Sequence, residues 1–434
     1  MPVRGAIVVD PGAVSRSESQ PAATVGDTTS LQPAGNGSEL TVHLLTMGPG
    51  DLVWEKFGHN AIWIHDAAAN TDVVYHWGLF DFADADFMPN FLKGNMRYSM
   101  GAFDLAGTID AYRQVNRTVW AQQLNIEPAG RKQLNEFLTW NNLPENRKYS
   151  YDYYRDNCST RVRDALDRAF GGAIRSASAN RPSGTSYRFH TQRLTQDDPL
   201  VYTGTLAALG HPVDDPISNW EEMFLPVKLM QHLRTMRVDG PAGRSVPLVA
   251  DERVVFQATR APEAVAVTRG IGGYLLVGAL AMLIGGAMWM FSRGARRSPL
   301  PPLGFAAIWS FVAGILGTVL GGLWLATNHV YSYRNENLLQ ATPLSLVLMA
   351  MLVHLMWRLR RARPASRSST RLRAAAQVAV VIAALSLAGF VMQIFPAFRQ
   401  GNGGIIALAM PLHVGVALLL VSLSRQVRRT SGKP

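Results

Sequence analysis

Two kinds of hydrophobic patterning divide this chain near residue 270. Before that point apolar residues come in short runs or at helical spacing, broken by polar turns. Beyond it they continue for about twenty residues at a time. In the first part 40–47, 61–64, 72–78, 95–101 and 118–126 read as strands, with turns at 48–51 and 66–71. The second and third of these predict an antiparallel hairpin with arms of similar length. Its open end then brings His59 and His76 near each other. Pro128 opens a helix that runs to Trp140, with Arg131, Lys132 and Glu136 on its wet side. A further helix is predicted over 159–170, where Val162, Ala165, Leu166 and Ala169 form an apolar stripe among charged residues. Residues 246–256 read as a strand leading to the first long apolar run. The expected class is α+β, followed by an all-α membrane region.

Five later stretches, 271–291, 303–327, 343–357, 374–394 and 404–423, are about long enough to cross a bilayer. The third is near the lower limit. Gly272, Gly273, Gly285 and Gly286 in the first, and Gly314, Gly317, Gly321 and Gly322 in the second, suit close helix contact. The net charge is +11, and much of the excess lies beside these runs, which removes the nucleic-acid reading. Arg293, Arg296 and Arg297 fill the first loop; seven arginines from Arg358 to Arg373 fill the third. Arg425, Arg428, Arg429 and Lys433 follow the last span. The second loop has only Arg334 against Glu336, and the fourth only Arg399. The positive-inside rule makes the rich loops and the C-terminus cytoplasmic, so five spans leave the N-terminal domain outside. The polar second loop, 327–340, reads first as an interfacial belt with Tyr331 and Tyr333 at headgroup level. The other reading is a lid or lipid-headgroup contact.

The first 38 residues are rich in Ala, Gly, Pro, Ser and Thr, lack periodicity, and read as a disordered leader. Their apolar run at 6–9 is too short for a signal peptide, so the expectation is a true start upstream or a different leader, with the first span as a reverse signal anchor the alternative. The domains expected are a leader at 1–38, a catalytic domain at 39–230, a connecting segment at 231–270, five spans at 271–427 and a cytoplasmic tail at 428–434.

Cys158 is the only cysteine, and it sits in Asn157-Cys158-Ser159-Thr160 where the second helix begins. A helix N-terminus stabilises a thiolate through its dipole, which predicts a lowered thiol pKa. Its unpaired N–H groups offer an oxyanion site. A buried small hydrophobe is the ordinary role of a cysteine, but the polar flanks argue against an apolar core. A thiol nucleophile needs an imidazole and a third polar group to orient it. His59 is the candidate base and His76 the orienting group, with Asn60 in reserve. Asn157 and Asn60 are the candidate oxyanion or positioning residues, and His43 and His65 are competitors. Asp81, Asp84 and Asp86 lack the glycine and bidentate glutamate of a calcium loop, so they read as a solvated turn. Asp214 and Asp215 initiate another turn. No zinc spacing, phosphate-cradling loop or cofactor signature is present.

Several motifs together, Thr46…Gly48-Pro49-Gly50, Phe57-Gly58-His59-Asn60, Tyr75-His76-Trp77-Gly78-Leu79-Phe80-Asp81-Phe82 and Tyr151…Asn157-Cys158-Ser159-Thr160-Arg161…Asp164, resemble the Lnb N-terminal periplasmic domain family. The resemblance runs from about residue 40 to 225, including Trp220 to Pro226, and Asn335 to Leu339 resembles the multi-span members. It implies a circularly permuted papain-like fold, as in NlpC-type peptidases and lecithin:retinol acyltransferase, with the histidine before the cysteine. It also implies lipoprotein acyl transfer, in which Cys158 attacks an ester to form a thioester and His59 moves the protons. Membrane lipid or lipoprotein is then the substrate. Two further readings stand beside it: a cell-wall thiol peptidase or amidase, and a non-catalytic membrane scaffold or sensor. The spans leave oligomeric state open.

Overall fold

The computed structural model describes residues 35–80, 85–239, 244–291, 298–361 and 365–431. The leader read at 1–38 lies outside the described residues as far as position 34. Asp81 and Asp84 of the acidic turn also lie outside them. Two compact units divide the chain, one of 1–190 with 216–265 and one of 191–215 with 266–434.

In the first unit seven strands form one antiparallel sheet. They are β1 (Leu40–Met47), β2 (His59–Asp66), β3 (Thr71–Leu79), β4 (Arg97–Asp104), β5 (Val119–Leu124), β6 (Lys148–Ser150) and β7 (Val249–Phe256). Their spatial order is β7-β5-β1-β2-β3-β4-β6. Four helices cover the sheet: α1 (Leu105–Gln114) on one face, and α2 (Pro128–Asn141), α3 (Cys158–Ala169) and α4 (Pro226–Thr235) on the other. β1 is central and buries both of its faces. Leu40, Val42 and Leu44 meet the three-helix side, while Leu45 and Met47 meet the α1 side. The α3 stripe of Val162, Ala165 and Leu166 sinks into the larger core with Ile62 and Trp77.

The predicted hairpin is β2–β3, with Asp66 paired to Thr71 at the turn and Ala61 to His76 near the open end. Helix α1 was not anticipated from the sequence pattern. Asp104 starts it by accepting the Gly107 N–H at 2.7 Å, and Ile109 anchors it in the core.

The boundary expected at residue 230 is corrected. Residues 231–265 belong to the sheet unit, because β7 pairs with the free edge of β5. Residues 191–215 group instead with the spans. Helix Pro199–Ala208 packs Tyr202 and Leu206 against Tyr274 and Ile405 there.

Among the described residues five segments of the second unit are long and apolar enough to cross a membrane: Gly272–Phe291, Leu300–Ala326, Glu336–Arg360, Thr370–Met392 and Gly403–Val427. The first packs on the fifth, the second on the third, and the fourth on both the third and the fifth. The last helix continues to Ser431, through most of the expected tail. Of the span glycines, Gly314 and Gly317 permit close approach: a Cβ at Gly317 would lie 2.0 Å from the Ala341 carbonyl oxygen. Gly285 abuts Phe305, whereas Gly272, Gly273, Gly286, Gly321 and Gly322 face no atom within 4 Å. Helical spacing alone did not separate the two groups.

The polar second loop has a structural task. The last carbonyls of helix Pro199–Ala208 have no helical partners. Asn335 Nδ2 donates to the Ala207 and Ala208 oxygens at 2.8 and 3.0 Å, and Asn337 Nδ2 to Leu206 and Ala207 at 3.1 and 3.0 Å. Gln400 Nε2 donates to Leu209 O at 3.1 Å. Glu336 accepts from Gln393 and lies 3.1 Å from His211. Tyr331 is buried rather than spread along an interface, and the Tyr333 hydroxyl donates to the Thr327 oxygen. Replacing Asn337 with leucine removes the side-chain donor from the Leu206 carbonyl and the acceptor of the Asn402 amide, and is expected to cost roughly 1–3 kcal/mol. Limited proteolysis within 195–215 reads this loss as faster cleavage.

Candidate active site

The start of α3 is fixed by its cap. Asn157 is extended, and its Oδ1 accepts the Ser159 and Thr160 N–H groups, each at 2.9 Å. Thr160 Oγ1 accepts the Asn157 N–H at 2.7 Å, which completes a capping box. The Asn157 amide nitrogen donates to the Tyr153 and Phe224 oxygens. Every polar atom of this side chain is therefore engaged in holding the helix head.

Asn60 ties β2 to that head. Its Nδ2 donates to Thr46 Oγ1 at 2.9 Å and to Leu45 O at 3.2 Å. Ser159 Oγ lies 2.9 Å from Asn60 Oδ1 and 2.7 Å from the Met223 oxygen, one proton serving two acceptors. This clamp brings the Asn60 backbone N–H to the sulfur of Cys158, joined by the N–H groups of Ser159 and of Cys158 itself. All three favour the thiolate, as does the Arg117 guanidinium, but burial outweighs them and pushes the thiol up. The lowered pKa expected from the helix terminus is thus corrected. The terminus acts as expected, but two of its amides bond the cap and desolvation is the larger effect.

Gly78 of β3 faces Cys158. Its φ of +93° suits glycine, and a Cβ there would stand 3.4 Å from the Cβ of Cys158. Gly78→Ala is expected to destabilise the fold by about 1–2 kcal/mol. It also slows alkylation of Cys158, as urea denaturation and iodoacetamide labelling would show.

His59 and His76 point to the α1 face of the hairpin as diagonal neighbours. His59 Nε2 lies 3.1 Å from His76 Nδ1, with the rings 11° from parallel. Tyr112 of α1 stacks on His59, and Phe103 meets His76 edge-on. Burial holds His59 well below the usual imidazole range, helped by His76 and Arg117; burial alone lowers His76 to about 4. The resting site is therefore neutral thiol and neutral imidazoles. The other histidines lie elsewhere: His43 stacks on Trp63, and His65 pairs with Asp72.

The low His76 value gives a sign for stability. Between the ordinary 6.5 and about 4 the unfolded chain binds a proton that the folded chain excludes. The His76 contribution is intact above 6.5 and is lost as pH falls toward 4, by about 3 kcal/mol. Thermal midpoints of the full chain should fall between pH 7 and pH 4.5, and less steeply in His76→Asn.

Cys158, His59 and His76 line one cavity of about 180 Å³, walled by Phe80, Phe103 and Tyr98. Sequence reading missed Tyr112 and Arg117 among the lining residues. The spacing of Leu105, Ile109 and Tyr112 behind the Asp104 cap was the available signal for the first. Arg117 gave none, since its role depends on contacts distant in sequence. Among the described residues no group of three or more His, Cys, Asp or Glu is placed to hold a metal.

Residues 30–193 match the family model described as the Lnb N-terminal periplasmic domain. The matched segment carries Cys158, His59 and His76. No curated protein and no solved structure matches the chain. With five apolar helices following the matched domain, the chain is an integral membrane protein with a periplasmic N-terminal domain.

Proposed function

We propose that this protein is a membrane-anchored thiol acyltransferase that takes its acyl group from a lipid-linked ester on the periplasmic side. The observation that carries the reading is a shared cavity. A single thiol at a helix head, met by the Asn60 N–H, opens onto the same aromatic-walled space as a hydrogen-bonded histidine pair. Because His76 engages His59 Nε2, Nδ1 is the ring nitrogen left for the thiol.

The sulfur attacks the ester carbonyl carbon while its proton passes to His59 Nδ1. The C–S bond forms, and the Asn60 and Cys158 backbone N–H groups at the sulfur stabilise the oxyanion. Collapse breaks the C–O bond, and His59 returns the proton to the departing alcohol, leaving a thioester. An amine then attacks, gives a proton to His59, and expels the sulfur, which recovers that proton. His76 orients His59 throughout. Tethering suits a substrate that never leaves the bilayer, since it raises effective concentration. The same reading includes a permuted papain-like order and, from the arginine-rich loops, a cytoplasmic C-terminus. The aromatic walls favour an acyl chain over a polar cell-wall peptide.

The test is to incubate the purified chain with a diacylated lipopeptide and analyse protein and products by mass spectrometry. A thioester on Cys158 and a lyso, N-acylated product are expected. Free fatty acid or a cleaved peptide would replace transfer by hydrolysis, and a Cys158 inert to both ester and electrophile would leave a scaffold.

A further inference from the structure

The cavity contains a buried cation that this mechanism does not use. Arg117 is 5% exposed and follows α1 at the start of β5. Its Nε donates to the Gly48 oxygen at 2.8 Å, and Nη1 lies 3.5 Å from Glu55 Oε1, itself nearly buried. The guanidinium sits 5.0 Å over the Tyr112 ring. Nη2 is buried and has no hydrogen-bond partner. Arg117 lines the cavity, and a buried guanidinium nitrogen without a partner leaves donors unsatisfied, which native interiors seldom tolerate.

We propose that Arg117 Nη2 receives a neutral carbonyl oxygen of the substrate, which makes it a specificity-determining residue of the cavity. This rests on the reading of the cavity as an acyl-donor site. Glu55 decides between a neutral and an anionic acceptor. The guanidinium charge already faces one carboxylate, so a second anion would enter an aromatic-walled space without a free counter-charge. An ester or amide carbonyl satisfies the N–H groups and imports no charge. The two sources of such an oxygen are the acyl ester itself and a neighbouring amide.

The experiment uses the full chain in detergent, with R117M and R117K and their thermal midpoints as a folding check. Acylation of Cys158 by p-nitrophenyl butyrate and by 1,2-dibutyrin probes ester carbonyls. A rise in KM of about tenfold is expected in R117M, with kcat little changed. R117K, which keeps a donor toward Gly48, should fall between. An effect confined to dibutyrin would assign a second ester oxygen, and an effect on both would assign the reacting one.

A second arm needs no turnover. N-methylbutyramide should protect Cys158 of the native chain from alkylation, about tenfold less well in R117M. Butyrate and butyl phosphate should protect poorly in both. Stronger protection by either anion, or equal protection by the amide in a folded R117M, overturns the assignment. If no ester acylates the native chain while the amide arm holds, the acyltransfer reading fails and the carbonyl subsite stands.

Discussion

Cys158→Ala is expected to abolish acyl transfer, by on the order of 10⁴-fold or more, while the fold survives. The chain has no second thiol to substitute, and without the sulfur there is no covalent intermediate to divide the reaction. Folding should tolerate the change, because the clamp on the helix head runs through Asn157, Ser159 and Asn60 and not through the thiol. Alanine keeps the Cβ that packs against Gly78. Intact mass after ester exposure should show an acyl adduct on the native chain and none on the variant. A variant that retains transfer with an unchanged thermal midpoint would remove Cys158 from the chemistry.

His59→Ala should lower the acylation rate by roughly 10²–10⁴-fold. The reason lies in the resting protonation state. Burial raises the thiol and lowers both imidazoles, so no thiolate–imidazolium pair waits in the cavity, and a base must take the proton during attack. Two pH profiles separate this from a preformed ion pair. Alkylation of native Cys158 by iodoacetamide should rise only above the ordinary thiol range. Acyl transfer should persist well below it and fall when the imidazoles protonate, His76 near pH 4. In His59→Ala the alkylation profile keeps its alkaline rise, and the acyl-transfer rate comes to follow it. An alkylation midpoint well below the ordinary thiol range would favour a thiolate and defeat the general-base account.

The hairpin and α3 were legible because each is specified by its own residues. Alternation across 61–64 and 72–78 forces antiparallel pairing around a short turn, and the apolar stripe of α3 can face only one way. Helix α1 was not legible in the same manner: Gly107 and the polar Thr108, Asp110 and Arg113 thin its stripe to Leu105, Ile109 and Tyr112. Missing it removed the roof over the histidines. The exchange of 191–215 and 231–265 between units was also hidden. A strand such as β7 declares its type locally but not which open edge it will join.

The sequence by itself determined the five apolar spans, the histidine hairpin and a thiol at a helix head, because length, periodicity and capping act between near neighbours. Tertiary structure alone decided which peptide N–H groups reach the sulfur, that desolvation outweighs them, and that Arg117 faces the same cavity. Those outcomes depend on how much water the assembled walls exclude and on groups far apart in the chain, which no local pattern encodes.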